Sequence, residues 1–209
     1  MKKVVLMIVC LMLGMVASAQ KTSLVIDNQT PGWLSSKINY GDQLTVQNLK
    51  VTGYLNQDDL AFITKLTTRA LNGELDLEDC QIVNSYGDLE NSLSPFLECD
   101  SIRKVVLPLH LKESKVCLMK KSTSNDNAVF VDTLVCGGAE MPVISQGLFQ
   151  QSYPRRVKHI IFRTGVKEIE DNAFSGFGLE SVEFQGALER IGKEAFTANN
   201  ELKKLIGNQ

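Results

Sequence analysis

A shift of 22 residues lays part of this sequence over itself, and that repeat constrains the fold more than any other feature. Val157-Lys-His-Ile160-Ile-Phe162 falls on Leu179-Glu-Ser-Val182-Glu-Phe184, apolar on apolar. The same shift puts Ile169 on Ile191, Ala173 on Ala195 and Phe174 on Phe196, and Leu202 and Leu205 open a third copy. Each copy reads apolar-x-x-apolar-x-apolar, then a turn with Gly, then I-x-x-x-A-F. A unit this short encloses too little interior to bury its own apolar edge, so it must lie against a neighbour.

The pattern can be followed backwards along the chain. The last inward position of each unit falls at 51, 77, 107, 136, 162, 184 and 207, in steps of 26, 30, 29, 26, 22 and 23. Units of about 20 to 29 residues with one short strand each are the pattern of leucine-rich repeats. An older form of that motif stands at Leu75-Asp-Leu77-Glu-Asp-Cys80-Gln-Ile82. The expected fold is an α/β leucine-rich-repeat solenoid of six to seven coils over residues 74–209, after an irregular capping region at 20–73. Val105, Leu134, Ile160, Val182 and Leu205 are expected to form a single buried column.

In the capping region, alternation predicts strands at Leu24–Ile26, Leu44–Val46 and Leu49–Val51. Residues 33–38 suit a helical turn or two. Asn56 followed by Asp59 predicts a helix start, with Leu60, Ile63 and Leu66 on its apolar face. Two stretches interrupt the repeats: a polar loop at 85–94, and a hairpin at 113–131 whose arms are Val116–Leu118 and Val129–Val131.

The first residues carry a different signal. Lys2 and Lys3 precede an uncharged apolar run, Val4 to Val16, followed by Ala17-Ser-Ala19-Gln20. A basic start, a short apolar core and an A-x-A site describe a signal peptide over residues 1–19, and the run is shorter than the ~20 residues of a spanning helix. The expected location is therefore secreted or at a bacterial cell surface, with the outer membrane and the periplasm included. A formal net charge of −2 gives no sign of a nucleic-acid partner.

Export opens the question of disulfides among Cys80, Cys99, Cys117 and Cys136, for which three pairings exist. The repeat register assigns Cys80, Cys99 and Cys136 to small buried slots, where free cysteine serves as a compact apolar group. No C-x-x-C occurs, and His110 and His159 belong to no metalloprotease arrangement. No nucleophile elbow, phosphate loop or dinucleotide fingerprint is present, so neither an enzyme nor a cofactor is expected.

The residue between the two inward positions of each strand faces outward. Those residues are Val106, Val135, Ile161, Glu183 and Ile206, and four of the five are apolar where a solvated face would be polar. β-Propensity explains part of this. The row, flanked by Arg103, Lys104, Lys158, His159 and Arg163, is the expected macromolecular contact surface. Val106, Val135, His159, Ile161, Arg163 and Glu183 are its candidate binding residues, although His159 also suits an ordinary exposed position. Past Ile206 only Gly-Asn-Gln follows, and an uncapped last coil is expected to self-associate or to be marginally stable.

Residues 165–184 and 187–196, with Ser94-Pro-Phe-Leu-Glu-Cys99-Asp-Ser-Ile-Arg-Lys-Val-Val-Leu-Pro108 and residues 49–63, resemble the BspA-like leucine-rich repeats of bacterial surface proteins. The resemblance departs from that pattern most at 109–156. It implies a non-catalytic, secreted or surface-attached protein, some of whose relatives bind host proteins or other cells; the expected function is adhesin-like binding of an extracellular or host macromolecule, a protein or a glycan. The alternative is a structural envelope protein that assembles with copies of itself.

Overall fold

The structure, a computed structural model, describes residues 22–90, 101–111, 130–145 and 157–207. The leader read at 1–19, Cys99, Cys117 and the greater part of the hairpin read at 113–131 lie outside them.

In chain order the first strands are β1 (Thr22–Asn28), β2 (Val46–Leu55), β3 (Glu74–Asp76), β4 (Cys80–Ile82), β5 (Ser101–Val106) and β6 (Phe130–Cys136). β7 (Val143–Ile144), β8 (Val157–Phe162), β9 (Glu168–Ile169), β10 (Ser181–Phe184), β11 (Arg190–Ile191) and β12 (Lys204–Gly207) follow. Each repeat gives one strand to the main sheet and returns the chain to the same end, a path that permits only parallel pairing. The main sheet runs β1-β2-β3-β5-β6-β8-β10-β12, with β4 beside β2. A second parallel sheet, β11-β9-β7, forms on the return path of the last three repeats. A mostly parallel sheet with few helices is the α/β repeat architecture that the spacing predicts.

Strand pairing sets Leu24, Leu49, Leu75, Val105, Leu134, Ile160, Val182 and Leu205 side by side in one column. The members from Leu49 to Val182 are buried, because each is covered by the strand on either side. Leu205 departs from the expected burial at 60% exposure, since β12 is the outermost strand. The next inward column carries aromatic rings in the later repeats. Phe162 stacks on Phe184 at 5.2 Å, and Phe174 stacks on Phe196 at 5.6 Å.

Three differences from the sequence reading have simple causes. The two short strands expected between 44 and 51 are one ten-residue strand, β2, because Val46, Leu49, Val51 and Leu55 all reach the core. Leu44 lies in the turn before it. Val131, read as a hairpin arm, belongs to the main sheet: β6 starts at Phe130, and Val131 is buried between Ile102 and Val157. The main sheet also takes in β1 and β2, so its pairing crosses the boundary expected near residue 74.

Helices α1 (Leu34–Lys37), α2 (Tyr40–Gln43) and α3 (Gln57–Thr67) flank the first strands. The α3 start is a reciprocal cap: the Asn56 side chain accepts from the Asp58 and Asp59 amides, and the Asp59 carboxylate accepts from the Asn56 amide. Asp59 has a second role. It also accepts from the Gly32 amide at 2.6 Å, the Leu34 amide at 2.9 Å and Asn28 Nδ2 at 3.3 Å, which ties the chain after β1 to the helix.

The turns repeat as faithfully as the strands. Asn172 and Glu194 share a left-handed conformation (φ +57° and +56°), as do Gly176 (+75°) and Ala198 (+59°). A Cβ at such a φ costs about 1–2 kcal/mol, while glycine loses more freedom on folding by about 0.5–1 kcal/mol. Ala198→Gly is therefore expected to stabilise the chain by about 0.5 kcal/mol, read as a higher urea midpoint at unchanged slope.

Candidate binding surface

Two rows of side chains leave the outer face of the main sheet. The lower row is Ser23, Asn48, Glu74, Lys104, Thr133, His159, Ser181 and Lys204, polar at every position. Its members bond along the row: Asn48 Nδ2 donates to Ser23 Oγ at 3.0 Å, Lys104 Nζ to Glu74 Oε1 at 2.8 Å, and His159 Nδ1 lies 2.8 Å from Ser181 Oγ. The upper row is Val25, Lys50, Asp76, Val106, Val135, Ile161, Glu183 and Ile206. Lys50 bridges Asp76 at 3.0 Å and Asp79 at 2.8 Å, and these carboxylates hold its ammonium well above the usual lysine range.

Between Asp76 and Glu183 the upper row is three β-branched apolar residues. They floor a depression of about 210 Å³ whose other lining residues are Glu74, Asp76, Glu78, Lys104, Arg163 and Gln185. The register brings Val106, Val135, His159, Ile161 and Glu183 onto this one face, but they are not equally accessible. Val106 and Val135 are only 6% and 8% exposed. Ile161, Glu183, His159 and Thr133 are each partly exposed, and they present the part of this face that meets solvent. Among the described residues no ion pair involves the Glu183 carboxylate.

Arg163, read from the sequence as a flanking contact residue, is committed to the fold instead. Its side chain is 7% exposed and crosses three neighbouring repeats. Nη1 donates to Gly137 O at 3.1 Å, Nη2 to Leu107 O at 2.5 Å, and Nε to Glu78 Oε1 at 3.0 Å. A buried guanidinium persists when every face of its fork is matched, and this one closes the strand ends of β5 and β6. Arg163→Met keeps the aliphatic volume but orphans two carbonyls and a carboxylate. It is expected to cost about 2–3 kcal/mol in urea unfolding.

The groups that invite a chemical reading are used structurally. His110 Nε2 accepts from the Ile82 amide at 3.0 Å, which requires the neutral ring in that tautomer. Cys80 and Cys136 are buried free thiols, and Cys80 Sγ donates to Val51 O at 2.9 Å. Burial pushes both thiols up, Cys136 to about 12, so neither supplies thiolate near neutral pH. Among the described residues no group of three or more His, Cys, Asp or Glu is placed to hold a metal ion.

Residues 138–208 match the family described as BspA type leucine rich repeat region (6 copies). This stretch is a BspA-type leucine-rich repeat region. No curated protein matches the chain. The BspA-type region takes in β7 to β12, while the two outward rows run on through β1 to β6, ahead of the matched residues. The face is thus a property of the whole sheet and not of the BspA-type repeats alone.

Sequence reasoning missed the acidic side of the depression, Glu74, Asp76 and Glu78. Asp76 was open to detection, because Leu75-Asp76-Leu77 has the same apolar-x-apolar form as Val105-Val106-Leu107. Glu78 offered no such signal, since its partner Arg163 is 85 positions away.

Proposed function

We propose that this is a secreted or cell-surface repeat protein that binds an extracellular macromolecule, a protein or a glycan, through the outer face of its main sheet, without catalysing a reaction. One observation carries the reading: an apolar centre on that face is bordered by carboxylates on its own row and by hydrogen-bonding side chains on the next. Apolar contact gives such a face area, and the polar border orients what lies on it. The BspA-type region supports the surface or secreted setting, since that family is generally extracellular or surface-associated. Among the described residues no helix is long and apolar enough to cross a membrane.

The test is a screen of the chain against immobilised extracellular proteins and glycans, followed by substitution on the accessible part of the face. Ile161→Lys and Glu183→Lys are expected to weaken a captured partner about tenfold or more. A partner whose affinity neither change alters binds elsewhere, and the reading fails.

A further inference from the structure

The main sheet has two outer strands, β1 and β12, and among the described residues nothing pairs with the far edge of either. Apolar side chains reach solvent at both edges. Leu205 and Ile206 on β12 are 60% and 39% exposed, and Val25 on β1 is 74% exposed. Ile191 is also exposed at the β12 end, whereas its counterpart Ile169 in the preceding repeat is fully buried. An edge of this kind is a template for another strand.

We propose that a second copy of this chain docks there head to tail, with β1 of one copy pairing in parallel with β12 of the next. Direction and register agree on this occupant. Every strand pair in the sheet is parallel, so a copy added end to end keeps the strand direction. Continuing the rows of the sheet sets Leu205 against Leu24, Ile206 against Val25 and Lys204 against Ser23. The buried column, the upper row and the lower row then each run across the junction. The new contact is continuous with the interface that every repeat already makes with the one before it. Head-to-tail contacts of unlike edges do not close on themselves, so the product is an open chain of copies. This inference is independent of the strand-face reading, although the assembly would lengthen that face.

Sedimentation velocity on the full chain over a range of concentrations tests it. The average mass of the unaltered chain is expected to rise past the dimer. Val25→Lys and Ile206→Lys should each raise the concentration needed for association about tenfold or more. An equal mixture of the two variants should form dimers and stop there, because between them one intact β12 and one intact β1 remain. Should Ile206→Lys fail to fold by its urea transition, a compact domain fused after Gln209 obstructs the same edge and should act alike. A chain that stays monomeric throughout overturns the proposal. So does a Val25→Lys variant that associates like the unaltered chain, or a mixture that forms no dimer.

Discussion

Asp59→Ala is expected to lower the stability of the chain by about 3–5 kcal/mol, the largest effect of any single polar substitution considered. Asp59 is 1% exposed and its carboxylate accepts from four donors: the amides of Gly32, Leu34 and Asn56 and the side chain of Asn28. Alanine removes the acceptor that all four share and leaves their N–H groups facing a methyl. Each orphaned group costs about 1–3 kcal/mol, and the sum is reduced because the loop can relax toward water. Asn56→Ala removes the other half of the cap but leaves the tie to residues 28–34. It should cost only about 1 kcal/mol. Urea unfolding of the two variants checks the difference. Equal losses would mean that Asp59 acts only as a helix cap, and that the tie to the segment after β1 contributes nothing.

Phe174→Ala is expected to cost about 3–5 kcal/mol, as large aromatic truncations in a packed core do. The ring is fully buried and lies 5.5 Å from Phe162, 5.2 Å from Phe177 and 5.6 Å from Phe196, measured between centroids. Its removal opens a cavity between two repeats, where neighbours on both sides have fixed backbone rows and little room to close in. Phe196 holds the same slot one repeat later but is only partly buried. Phe196→Ala should therefore cost roughly half as much, in proportion to the apolar area it withdraws from water. Similar losses at the two positions would show that the end of the stack is as well covered as its middle, contrary to the exposure of Leu205. That outcome would also favour a copy of the chain already seated on the β12 edge.

The sequence was a good guide wherever a side chain's surroundings repeat. The inward column from Val105 to Val182, the outward row from Val106 to Ile206 and the Asn56 cap all depend on local period, and a period is visible in one dimension. The same period assigns Cys80 and Cys136 to buried slots, and both lie there as free thiols. The limits appear where one residue serves several repeats at once. Arg163 reads as a surface cation beside an apolar row, yet it spans from β8 to Glu78 because three partners from distant sequence converge on it. Val131 reads as the end of an insert, yet its burial between Ile102 and Val157 draws it into the main sheet.

The chain's own letters determined that successive units must stack, that their strands must run the same way, and which side chains point to the interior. Those outcomes follow from a short apolar period that no single unit can bury. Only the tertiary structure decided which members of the outward row remain accessible, and which charges on that face are already spent on one another. Exposure depends on what lies across from a residue: Leu205 has a strand on one side only, whereas Arg163 meets Glu78, Leu107 and Gly137 from three other repeats.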